Sequence, residues 1–161
     1  MSEDDARVPG EMLLHPIAVA ALVTWLVNDH VLKALTPGWL TGKVSDVACL
    51  IVCPLLVVAA VEVRWPALSW RRQRWVLLAA LALFGAIMSS IRVWPWAADA
   101  YRYGLGAAQW PVRGLASALF GAPLPQLRPV QLAMDVTDLA TLPSLIIPAV
   151  LVRRLRRPVL H

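Results

Sequence analysis

Charge is scarce in this chain. Aspartate, glutamate, lysine and arginine make up 16% of its 161 residues, against roughly a quarter in an average soluble domain. Hydrophobic residues make up 59%. A soluble domain of this length buries only about 70% of the surface its unfolded chain exposes, so it cannot hide that much apolar surface. A bilayer can accept it. Cysteine is scarce as well, with Cys49 and Cys53 at i,i+4 in an apolar run. That spacing fits disulfide geometry poorly, and no second pair completes a four-thiolate metal site. Both read most simply as small apolar helix residues. Also missing are an H-E-x-x-H run, a nucleophile elbow and a glycine-rich phosphate loop. The net charge of +5 gathers in two arginine clusters beside apolar segments. That is a topological pattern, and no nucleic-acid partner is expected.

The first apolar stretch lacks the basic start of a signal peptide, since Glu3, Asp4, Asp5 and Glu11 surround a single Arg7. No small-residue cleavage site precedes Asn28, so the stretch is expected to be a retained span.

What the chain has is apolar length. A bilayer core needs about 20 mostly apolar residues per helix. Four segments qualify: about Met12–Leu32, Ser45–Val63, Trp75–Val93 and Val130–Val152. The expected fold is all-α, an integral membrane bundle of four transmembrane helices with an interfacial helical link, 94–129, between the third and fourth. Its expected organisation is a polar tail over 1–11, one transmembrane domain over 12–152 and a basic tail over 153–161. Pro54, Pro143 and Pro148 fall within spans, where neighbouring groups can satisfy freed carbonyls. Thr36-Pro37-Gly38 and Thr41-Gly42 punctuate a short turn between the first two spans.

Arg71, Arg72 and Arg74 precede the third span, and Arg153, Arg154, Arg156 and Arg157 follow the fourth. The positive-inside rule then puts both termini and the second link in the cytoplasm. Trp65, Trp70 and Trp75 would flank that surface, with Trp39, Trp94, Trp96 and Trp110 at the other. In the long link, Asp99, Arg102, Gln109, Arg113 and Ser117 recur on one helical face. They predict a helix lying in the interface and broken at Pro111. The alternative is a fifth span from about Tyr103 to Ala122, which would put the arginine clusters on opposite sides.

This topology gathers polar groups at the outer ends of the spans. The first contributes Asn28, Asp29, His30 and Lys33, and the second Lys43, Ser45 and Asp46. The third contributes Ser89, Ser90 and Arg92, and the fourth Asp135, Thr137 and Asp138. Capping covers several of these: Ser45 or Asp46 suits the start of the second span, and Asp135 with Asp138 resembles a capping box. Lys43 can snorkel to headgroups. Asp29 is harder to dismiss, because a helix C-terminal end disfavours an anion and intramembrane charges usually pair or serve a function. Lys33 lies one turn on and can pair with it, while His30 points about 100° away. Polar packing between helices and a functional role explain Asp29 equally well.

At these positions the runs Asn28-Asp29-His30-Val31-Leu32-Lys33, Pro37-Gly38-Trp39-Leu40-Thr41-Gly42-Lys43-Val44-Ser45-Asp46 and Asp135-Val136-Thr137-Asp138-Leu139 resemble signatures of a family of small bacterial multi-pass membrane proteins without an assigned activity. The resemblance covers the first two spans and the start of the fourth, with Val136 where the family pattern has proline. It implies residence in the bacterial cytoplasmic membrane and outer-end polar runs that act together. It supplies no reaction.

Three functions compete. The first is an enzyme acting on lipid headgroups at the outer leaflet. Asp29, His30, Asp46, Asp135 and Asp138 would be its catalytic groups, able to hold a divalent metal as cofactor. Lys33, Lys43 and Arg92 would bind the anionic headgroup. The second is a non-catalytic accessory or scaffold subunit, partnered by another membrane protein as well as by the lipid bilayer. The third is ion or proton handling, which the apolar stretches Ala18–Val27 and Leu77–Ile87 disfavour.

Overall fold

The computed structural model describes residues 8–154, with the backbone alone for 153 and 154. The terminal charges Glu3, Asp4, Asp5, Arg7, Arg156 and Arg157 lie outside the described residues. Within them all regular structure is helical. Close contacts divide the chain into two units: Ile87–Leu139, and the residues before and after it.

In the first unit, a 3-10 turn over Glu11–Leu14 leads into helix α1, Pro16–Leu35. Proline suits a first helical turn, where its missing N–H has no helical partner to lose. His15 caps that turn, its Nδ1 accepting from the Ile17 N–H at 3.2 Å. The helix ends where Thr36 donates both its backbone N–H (2.7 Å) and its hydroxyl (3.1 Å) to the Leu32 carbonyl, since Pro37 disfavours helical geometry in the residue before it.

Helix α2, Trp39–Arg64, begins just past Gly38. The Thr41 hydroxyl oxygen accepts from the Gly38 N–H at 3.1 Å, which satisfies one of the donors a helix start leaves open. Thr41 and Gly42 are thus the first turn of α2 and not part of the loop, and Ser45 and Asp46 lie inside the helix instead of capping it. Pro54 is fully buried within α2, where it removes one ladder donor without ending the helix.

Helix α1 packs along α2. Small Ala18 and Ala21 are buried, and small residues are what let membrane-type helices approach closely. Met12, Leu55, Val58, Leu77, Leu151 and Val152 fill the main core of this unit. The entering chain is pinned by Glu62, 5% exposed, whose Oε2 accepts from the Gly10 N–H at 2.9 Å. Helix α3, Trp70–Val93, follows, opened by the Ser69 carbonyl accepting from the Arg72 and Gln73 N–H groups.

Helices α1, α2 and α3 are each long and apolar enough to cross a membrane. The expected fourth span takes a different form. Val136–Leu145 is a 3-10 helix containing Pro143, and Ile146–Arg154 is α-helix, here α5. Their apolar stretch, Val136–Val152, is shorter than the other three. Pro143 and Pro148 each remove a donor an α-helix would use, which favours tighter winding before α5.

In the second unit, helix α4 runs unbroken over Pro95–Leu119. The break expected at Pro111 does not occur, because proline takes out one bond of a long ladder and leaves the rest. The helix covers only part of 94–129. It stops at Gly121, φ 66°, with Ala122 N–H donating to the Ser117 carbonyl at 2.8 Å, a left-handed C-terminal closure that glycine adopts freely.

The chain then returns along α4 as an extended strap. Trp110 Nε1 donates to the Pro125 carbonyl at 2.8 Å, Val130 N–H to the Arg102 carbonyl at 3.0 Å, and Arg102 Nη2 to the Leu132 carbonyl at 2.6 Å. Gly106 makes this approach possible, since a Cβ there would lie 2.3 Å from the Arg128 carbonyl oxygen. Gly106→Ala is therefore expected to lift the strap, speeding hydrogen exchange of the Val130 amide at least about tenfold. Unchanged exchange would contradict the packing.

Candidate functional site

The Asn28–Leu32 stretch of α1 is a π-helical turn inside an otherwise α-helical span. Its closing bond runs from the Lys33 N–H back to the Asn28 carbonyl. Such turns are uncommon and frequent at functional sites, because the extra residue re-aims side chains that regular winding would point elsewhere. Here the turn carries the polar run. Asn28 is completely buried.

The Asn28 Nδ2 donates to the Thr41 carbonyl and to Ser45 Oγ, each at 2.7 Å. Ser45, 7% exposed, donates its hydroxyl to Asp29 Oδ1 at 2.5 Å. The same carboxylate oxygen faces Lys33 Nζ at 2.7 Å, and Asp29 Oδ2 accepts from Trp25 Nε1 at 2.9 Å. One carboxylate thus takes three donors, from one turn before it, one turn after it and the neighbouring helix. The expected Asp29–Lys33 pair is present, and the orienting links to Ser45 and Asn28 join it to α2. Asn28 Oδ1 is buried and has no hydrogen-bond partner among the described residues.

The remaining expected site residues distribute differently. His30 is exposed and makes no hydrogen bond or ion pair among the described residues. Asp46 follows Ser45 on α2 and is half-buried. Lys43 Nζ sits 4.6 Å from the centre of the Trp39 ring, in cation–π contact. In the second unit, Arg92 pairs with Asp138 at 3.1 Å, with both side chains 10% exposed or less. Arg92 Nη1 also donates to the Ala133 carbonyl. Asp135 does serve as a cap, its Oδ1 accepting from Thr137 N–H at 2.9 Å and from the Thr137 hydroxyl at 2.7 Å. Its expected capping partner Asp138 is instead the anion of the buried pair.

Among the described residues, no three histidine, cysteine, aspartate or glutamate side chains come together as a group able to hold a metal ion. Cys49 and Cys53 are free thiols with sulfurs 3.4 Å apart on one face of α2. Among the described residues the divalent-metal expectation therefore finds no fitting ligand set.

Trp25 and Thr41 did not stand out in the sequence as members of this site. Trp25 had a signal, since it precedes Asp29 by one helical turn as Lys33 follows it by one. Thr41 contributes a backbone carbonyl, for which no sequence signal exists. No family model, curated protein or solved structure matches this chain.

Proposed function

We propose that this chain is a multi-pass protein of the bacterial cytoplasmic membrane that serves as a non-catalytic subunit of a membrane complex. The junction of Asn28, Asp29 and Ser45 locks its first helical hairpin. The observation that carries this reading is the way Asp29 ties the hairpin together: its carboxylate accepts from Trp25 and Lys33 of α1 and from Ser45 of α2. Outward-facing Leu22, Val23 and Leu26 on α1, each 42% exposed or more, offer an apolar flank for lipid or a partner helix.

The proposed orientation puts the Arg71–Arg74 end in the cytoplasm and the Asn28–Ser45 junction near the outer leaflet. A fourth crossing by the last helical segment is supported by its winding. Ten 3-10 residues rise about 20 Å and nine α residues about 13 Å. Counted along the chain, the two lengths add up to the roughly 30 Å of a hydrocarbon core. Purification from native membranes in mild detergent is expected to retain a second membrane protein in fixed ratio. A chain recovered only as a partner-free monomer would contradict the proposal.

The π-turn favours a second reading, an outer-leaflet enzyme in which Asp29 reacts and Lys33 and Lys43 hold an anionic headgroup. Undiminished cellular function of an Asp29→Asn variant would sink that reading.

A further inference from the structure

At the Arg71–Arg74 end of the first unit, α3 and α5 enclose a cleft of about 190 Å³. Trp70 and Arg74, from the first turns of α3, line it along with Leu77 and Leu78, and Ala149 and Val152 of α5 form the rest. Leu77 and Val152 are buried, so the floor is apolar, while Arg74 is exposed. Among the described residues Arg74 has no acidic partner. One wall is therefore a fixed cation and an indole, and the rest is hydrocarbon. Arg71 and Arg72 add positive charge on the adjoining turn without lining the cleft.

We infer that this cleft binds an anionic phospholipid, with the phosphate on Arg74 and the start of an acyl chain over Leu77, Leu78, Ala149 and Val152. The inference rests on the proposed membrane placement, not on the subunit role. Charge complementarity selects the headgroup, since basic pockets between membrane helices on the cytoplasmic side hold anionic lipids. A guanidinium also matches two phosphate oxygens in a fork that an ammonium cannot reproduce. The apolar floor selects a lipid over a free phosphate, because it rewards an acyl chain and offers an inorganic ion nothing. The rim tryptophan fits the same depth, where indoles settle between headgroups and chains.

The test titrates the full chain in detergent with phosphatidylglycerol, with phosphatidylcholine of the same acyl chains, and with inorganic phosphate, and counts bound molecules by native mass spectrometry. Wild type is expected to hold phosphatidylglycerol at least tenfold more tightly than either control. Arg74→Gln should lose at least about tenfold in affinity, and Ala149→Leu, which fills the cleft, should lose a similar factor. Arg71→Gln, with the same loss of charge, should stay within about twofold. Equal losses from Arg71→Gln and Arg74→Gln would overturn the site in favour of diffuse attraction, and equal binding of phosphatidylcholine would overturn the headgroup choice. Competition by inorganic phosphate at the lipid's own concentration would overturn the acyl-chain contact. Alkaline extraction of membranes that contain the chain tests the membrane placement separately. A chain that stays in the membrane yet shows no lipid preference defeats this inference alone.

Discussion

Asn28→Asp is expected to destabilise the protein by ~3–5 kcal/mol, although it changes the side chain by a single group. The amide it replaces is completely buried and points its NH2 at two acceptors, the Thr41 carbonyl and Ser45 Oγ. A carboxylate there would face oxygen with oxygen, beside Asp29 and out of reach of water. Asn28→Ala removes the same two bonds and leaves a small cavity, but it buries no charge. It should cost only about 2 kcal/mol, since interhelical hydrogen bonds between membrane helices are individually modest. Reversible unfolding in mixed micelles measures both. The order of the two variants is the diagnostic feature: if alanine proves worse than aspartate, volume and not donor geometry sets the role of Asn28.

Asp138→Asn is the second large effect, expected at ~3–5 kcal/mol. Arg92 and Asp138 are both nearly buried, and the pair is closed by the Arg92 bond to the Ala133 carbonyl. Removing the anion leaves a guanidinium facing a neutral amide in a site with little water. Replacing both members together, Arg92→Met with Asp138→Leu, should restore most of the loss, because an apolar pair of similar volume needs no desolvation. The comparison is read by hydrogen exchange across residues 133–138 and by the unfolding midpoint. A double variant as unstable as Asp138→Asn would show that the ion pair itself, and not the orphaned charge, carries the stability.

The helical character of the first three spans was legible from composition, because apolar length is a property of the chain alone. So were the Asp29–Lys33 pair and the Asp135 cap, whose partners lie within one turn in sequence. Less was legible wherever geometry depends on a second segment. The π-turn at Asn28 trades an ideal backbone for contacts with Thr41 and Ser45 on the next helix, and nothing local announces it. Helix α2 begins at Trp39 and not at Ser45, because the Thr41 hydroxyl closes the turn at Gly38. Ser45 suits a cap by its place in the sequence, yet it sits inside α2 and bonds to Asn28 and Asp29 of α1. Pro111 predicts a break, yet α4 tolerates it. The return strap needed Gly106, whose role emerges only when Arg128 is placed against it. His30 is exposed and makes no hydrogen bond or ion pair among the described residues, which its place next to Asp29 in the sequence does not reveal.

The reading turns on whether Asp29 is a strut or a reactive group. Its three donors favour the strut, and among the described residues no three histidine, cysteine, aspartate or glutamate side chains converge on it. Asp29 and Lys33 are each more than a third exposed, so the ion pair itself contributes little. The bond to Ser45 and the indole contact dominate the expected loss. The most direct measurement sets elemental analysis beside thermal unfolding for detergent-purified wild type and Asp29→Asn. The account predicts no stoichiometric metal in either protein and a loss of about 1–2 kcal/mol in the variant. A metal bound one to one in wild type and missing from an Asp29→Asn variant of unchanged stability would contradict it.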